Sequence, residues 1–369
     1  MPGRLKIIMI CLLWLGIVDT NTVHAQLLQD SATVNLVRKG VDCIYNQQFT
    51  EAHEIYRQIG KIYPRHPVLY LLQGILTYWE NYPMLTTSPV RASFEENMRN
   101  CIRASGKKTA YEAEFLLTNL CARGMLLKFY DENNLTMDII PLTSSTYKYL
   151  RHSFDLVDVC TDLQYYTGAY NYYREEYPKL YPVYRPLALL LPSGNREIGL
   201  RQLQNAANNA IILRAEAYFL LSWIYLTYES KYPMAMHYSK TLYELYPENP
   251  VCVVTYIKNL LLMKSYDEAE KQINASRKVP TNKYYEAQLS IFKGILLEKK
   301  YHDMNQAQQY YTQGISRISF FGACGNEYTA YGYFGLSRLC YLKGEKNAGK
   351  KFWGKALRLA VSRKINFDN

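Results

Sequence analysis

The chain is poor in the short signatures by which enzymes and metal sites are usually read. Its eight cysteines are scattered and none forms a CxxC pair, which argues against a zinc ribbon or a thioredoxin-like dithiol. The six histidines are His24, His53, His66, His152, His237 and His302, and none belongs to an HExxH. There is no GxSxG, no phosphate-binding P-loop and no GxGxxG. No catalytic, metal-binding or cofactor-binding residue is therefore assigned, and the expected function is non-catalytic. Long apolar runs are scarce as well. Residues 211–228 are the best later stretch, but Arg214 and Glu216 interrupt it, so no segment there should span a bilayer.

The one continuous apolar run lies at the start. Arg4 and Lys6 precede apolar residues 7–18, and Val23-His24-Ala25 is a small-x-small site before Gln26. This is the layout of a secretory signal peptide over residues 1–25. The run falls short of the ~20 residues of a membrane span, which disfavours a retained anchor. Ile10 before Cys11 is too large for a lipobox. The mature protein is thus expected outside the cytosol, periplasmic or secreted. Cleavage leaves seven cysteines, an odd and dispersed set, expected mostly as buried thiols with at most one unassignable bridge. A formal charge of +11 favours anionic surfaces, so peripheral contact with an anionic membrane or a glycan is allowed, while export argues against nucleic acid.

Apolar residues are ample, at 49% of the chain, and 36 tyrosines are far more than a typical domain carries. Tyrosine suits a helical protein that buries its rings while placing hydroxyls on polar partners. Leu36, Gly40 and Ile44, then Ala52, Tyr56 and Ile59, recur at helical spacing. Gly40 and Gly74 lie 34 residues apart, with Phe49, Ala52, Tyr56 and Pro64 between them. Tyr232 and Tyr266 repeat that interval, as do Ala235 and Ala269. Gly294 and Gly335 begin two more such patterns, whose alanines, Ala307 and Ala348, each come one residue late.

This spacing resembles the tetratricopeptide repeat family, a helix–turn–helix unit with a period of 34 residues. The resemblance implies an all-α, right-handed superhelical solenoid of antiparallel helix pairs. Repeat-like units are expected over residues 26–105 and 216–369, flanking an irregular helical middle region, 106–215. In that middle region, helices are expected over 110–130 and 145–164, joined by a polar connection over 131–141. Family members line their concave groove with fixed positions of each first helix. Carried onto this sequence, the candidate partner-binding groove is Val41, Tyr45, Ile75, Tyr78, Trp79, Ile224, Tyr228 and Lys258. Such a groove is apolar and aromatic, and it lacks the lysine, asparagine and arginine set of the family's peptide-carboxylate clamps. It suits an apolar peptide or helix, unless the chain's own neighbouring helices cover it.

Two further features have two readings each. Tyrosines crowd residues 165–184, either packing an irregular stretch or offering rings to a sugar. The C-terminal helix carries Lys343, Lys346, Lys350, Lys351, Lys355, Arg358, Arg363 and Lys364 against Glu345 alone, which suits a solvated end-cap or an anionic surface. The expected function is an exported scaffold that binds a protein or peptide partner, with cell-envelope assembly as its expected setting. The alternative is a glycan-binding or transport accessory protein at the outer membrane.

Overall fold

A computed structural model describes Leu27 and residues 30–106, 112–275 and 282–368. The expected signal peptide, residues 1–25, lies outside the described residues. The fold is all-α, with no strand among the described residues, and neighbouring helices pack in pairs. The first three pairs are α1 (Ser31–Tyr45) with α2 (Phe49–Ile62), α3 (Val68–Glu80) with α4 (Arg91–Ala104), and α5 (Glu112–Glu132) with α6 (Thr136–Ser153). Next, α7 (Leu163–Leu180) pairs with α9 (Arg196–Asn209) across the one-turn α8 (Arg185–Leu189). The last four pairs are α10 (Arg214–Thr227) with α11 (Tyr232–Leu245), α12 (Pro250–Leu262) with α13 (Tyr266–Ala275), α14 (Lys283–Lys299) with α15 (Met304–Ile318), and α16 (Asn326–Leu342) with α17 (Lys346–Leu359).

Six pairs share one turn. Gln47, Asn134, Ser230, Lys264, His302 and Gly344 each follow the first helix of a pair with φ between 53° and 79°. That left-handed residue turns the chain so that the next amide reaches back to the helix it has left. Gln48, Leu135, Ser265 and Glu345 each donate to the carbonyl five residues earlier, at 2.8–2.9 Å. The bonds Lys231→Tyr225 and Asp303→Leu297 are one residue wider. Asn134 brings the middle region into the same scheme.

The small residues sit where helices touch. A Cβ on Gly40 would lie 2.9 Å from the Ile55 side chain. Tyr311 is wedged between Gly294 and Gly335, where a Cβ would come within 2.7 and 2.3 Å of its ring. Ala235 and Ala269 are fully buried. These contacts join the two helices of a pair, or one pair to the next, into one continuous core.

The middle region departs from the sequence expectation in two places. Residues 131–141 are not simply a polar connection, because α6 starts at Thr136 and continues through Pro141. Proline removes one hydrogen bond there, while Arg123 of α5 holds the helix by donating to Ser145 Oγ at 2.7 Å. Residues 145–164 are not one helix either, since α6 ends at Ser153 and α7 begins at Leu163. The break frees Asp162 to accept from the backbone N–H groups of Ile211, Ile212 and Leu213, at 2.8, 2.7 and 2.9 Å, at the start of α10. Burial raises the Asp162 pKa despite those three bonds.

Candidate functional site

The first helices of the early pairs face the first helices of the later ones. Two asparagines fasten this meeting. Asn249 Oδ1 caps α12 by accepting from Val251 N at 2.9 Å, while its Nδ2 donates to the Tyr45 carbonyl at 2.6 Å. Asn282 caps α14 in the same way, at 2.8 Å from Tyr285 N, and its Nδ2 donates to the Tyr82 carbonyl at 3.1 Å. Asp42 of α1 accepts from Arg214 and from the Tyr246 hydroxyl, at 2.7 and 2.8 Å. These partners are separated by roughly half the chain, so the early and late helix pairs are in contact.

Where the halves do not quite meet, a cavity of about 360 Å³ remains. Trp79 of α3 and the following Tyr82 form one wall, and Lys128 and Glu132 of α5 stand beside them. The opposite side is α10, with Glu216, Phe219 and Trp223 one turn apart, and α12, with Val251, Thr255 and Lys258. The spacings 216, 219, 223 and 251, 255, 258 put each set on one helix face. Trp79 stacks on Tyr82, ring centroids 5.2–5.3 Å from those of Tyr45 and Tyr82.

Three of the four charged groups of the cavity are ion-paired by the protein itself. Lys128 Nζ donates to Glu216 Oε1 at 3.1 Å and lies 5.3 Å from the Trp79 ring centroid. Burial works against the Lys128 charge, but the Glu216 carboxylate outweighs it and the pKa is raised. Tyr45 donates its hydroxyl to the same Glu216 oxygen at 2.8 Å. Glu132 Oε2 accepts from the Tyr78 hydroxyl at 2.6 Å. Burial raises the Glu132 pKa, and the Lys128 charge offsets this only in part. Lys258 pairs with Glu327 at 3.1 Å and lies 5.8 Å from the Trp223 ring centroid. Not every polar atom is satisfied. The second oxygens of Glu132 and Glu216 carry no hydrogen bond among the described residues. The buried indole N–H of Trp79 likewise has no partner among the described residues. A buried donor without an acceptor is rare in a folded protein and calls for a reason.

The same chemical parts recur in saturated form elsewhere. Tyr311 donates to Glu298 at 2.6 Å, and Arg338 clamps both Glu298 oxygens at 2.6 and 2.8 Å. Tyr172 and Arg196 share Glu229 in the same fashion. A depression of about 590 Å³ lies beside Arg338. Several of its polar groups are already engaged: Arg338 with Glu298 and Asp368, and Ser337 Oγ with the Gly349 carbonyl.

Of the sequence-derived groove residues, Trp79 and Lys258 line the cavity. Tyr45 and Tyr78 stand one layer behind, orienting Glu216 and Glu132. Val41, Ile75 and Ile224 are buried in the core. Tyr228 is half-buried at the far end of α10, against Tyr172 and Tyr173 at 5.9 and 5.3 Å. Lys128, Glu132, Glu216, Phe219 and Trp223 were not singled out from sequence as site residues. Their signal was an ionic residue inside an otherwise apolar helix, as at Lys128 and Glu216.

The tyrosines of 165–184 pack largely on one another and on α9 and α10. Tyr165 meets Tyr166 at 5.1 Å and Tyr177 meets Tyr181 at 4.6 Å, while Tyr170 donates to the Pro192 carbonyl. The seven described cysteines are free thiols, and burial lifts Cys43 to about 11 and Cys101 to about 12. Among the described residues, no group of three or more His, Cys, Asp or Glu is placed to hold a metal ion, and no helix is long and apolar enough to cross a membrane. Compared with protein-family models and with curated proteins, the chain matches none.

Proposed function

We propose that this chain is an exported, non-catalytic binding protein that holds its ligand in the cavity between its two halves. The carrying observation is the aromatic-walled space itself, with Trp79 and Tyr82 on one side, Phe219 and Trp223 on the other, and two carboxylates that each keep one oxygen free of hydrogen bonds among the described residues. The volume falls within the ~300–1,000 Å³ range of small-molecule sites. The helix pairs form a right-handed, tetratricopeptide-like superhelix, wound tightly enough for early and late units to meet. The recurring left-handed turn and the glycine and alanine contacts support that reading. Export rests on the layout of residues 1–25, and N-terminal sequencing of the mature protein should begin at Gln26.

The test is native mass spectrometry of the protein purified gently from its own host. Wild type should carry a bound small mass that Thr255→Trp, which fills the cavity, releases. An empty wild type whose melting no host extract shifts would defeat the proposal. A second reading, a scaffold for a protein partner, draws on one surface. Val183, Leu189 and Leu190 are each about four-fifths exposed on the segment around α8. Crosslinking in the native envelope through that segment should recover one defined protein if this surface is used.

A further inference from the structure

The charge pattern of the cavity narrows what it can hold. An anion entering it would meet Glu132 and Glu216, with Glu327 close behind Lys258, while both lysines already have carboxylate partners. A cation would meet Lys128 and Lys258, which already occupy the neighbourhood of the Trp79 and Trp223 rings. An anion would be desolvated without a free counter-ion, and a cation would be pressed against two lysines, with Glu132 the one carboxylate of the cavity outside an ion pair among the described residues. A peptide end carries one of these charges. What the site offers instead is mixed: acceptor oxygens on Glu132 and Glu216, and ring surface on the half-buried Phe219 and Trp223.

We infer that the ligand is a neutral, polyhydroxylated ring, a mono- or disaccharide unit without charged substituents. This rests on the cavity being the ligand site. Hydroxyl groups of such a ring donate to the two carboxylates. Its C–H face, weakly positive, lies against the negative face of an aromatic ring.

Titration with glucose, galactose, mannose, N-acetylglucosamine and their disaccharides tests the inference, followed by tryptophan fluorescence and melting temperature. Two of the chain's four tryptophans, Trp79 and Trp223, line the cavity and report on it directly. At least one neutral sugar should bind saturably, with glucuronic acid, glucosamine and capped tripeptides at least tenfold weaker. A polysaccharide ending in the bound unit distinguishes a glycan end from a free sugar. Trp79→Phe shortens the aromatic wall and should weaken binding about tenfold. Should that variant fail to fold, Phe219→Ala removes ring surface at a half-buried position and should weaken binding at least as much. Leu189→Ser, on the outer surface, should leave binding unchanged. Unchanged sugar affinity in the cavity variants, or tighter binding of the charged or peptide probes, overturns the inference. If no neutral sugar binds but Thr255→Trp still releases a host-derived mass, the sugar class falls while the cavity reading stands. If there is neither sugar binding nor a released mass, both fall.

Discussion

Two regions of this molecule are built from the same three parts and finished differently. Around Glu298, a tyrosine hydroxyl and an arginine fork use both carboxylate oxygens, and nothing is left over. Around Glu216 and Glu132, tyrosine hydroxyls and a lysine use one oxygen of each, and an indole N–H nearby goes unanswered. The first arrangement holds two helix pairs together. The second stops short, in a cavity, with its hydrogen-bonding capacity partly unspent. The difference separates a polar network that serves the fold from one that serves something else, since evolution accepts unsatisfied groups where function requires them.

The largest effect should come from breaking the finished network. Glu298→Ala leaves buried Arg338 with only the more exposed Asp368 as counter-ion, and stability should fall by about 3–5 kcal/mol in chemical denaturation. A loss under about 1 kcal/mol would mean that the network is not closed. Next comes the seam between the halves. Asn249→Ser can still cap α12 but cannot reach the Tyr45 carbonyl, so it should cost about 1–3 kcal/mol. Trp79 and Trp223 should also become easier to quench by acrylamide, whereas Glu298→Ala should act farther from them.

The two carboxylates should also titrate with opposite sign. The Glu298 pKa is lowered: burial would raise it, but Arg338 wins. Its stabilisation is complete above the unfolded value of about 4.3 and disappears as pH falls through the lower folded value. Glu132 has a raised pKa, chiefly from burial, so its ionisation penalises the fold as pH climbs from about 4.3 through the folded value. Glu298→Gln should therefore flatten the acid limb of the stability profile. Glu132→Gln should leave stability at pH 7 unchanged or up to ~1 kcal/mol higher, and a clear loss would place Glu132 with the structural set. The smallest effect belongs to Trp79→Phe. Removing an unpaired donor should change stability by less than ~1 kcal/mol, as read by thermal melting.

Much of the fold was legible. Helical spacing and the recurrence of Gly40, Ala235 and Ala269 are local signals, and the residues sit in helix contacts as such spacing implies. The turns were less visible, because five of the six left-handed residues are not glycine. The α6 boundary was obscured by Pro141, which reads as a breaker. The site was only half legible. Trp79 and Lys258 could be placed through the groove positions, but their companions depend on contacts such as Tyr45–Glu216 and Lys128–Glu216, spanning 171 and 88 residues. No periodicity encodes which distant turn of the stack comes to rest against which. The ionic residues interrupting apolar helices were the one trace of it.

The asparagines at 249 and 282 have a temporal consequence. Each terminates a late helix on an early carbonyl, so the chamber has no floor until the ribosome has delivered both ends of the seam. A fragment stopped near residue 210 would own Trp79, Tyr82, Lys128 and Glu132 yet enclose nothing. Occupancy by a guest would accordingly act as a rivet across the seam, raising resistance to unfolding with the logarithm of guest concentration once the chamber is saturated.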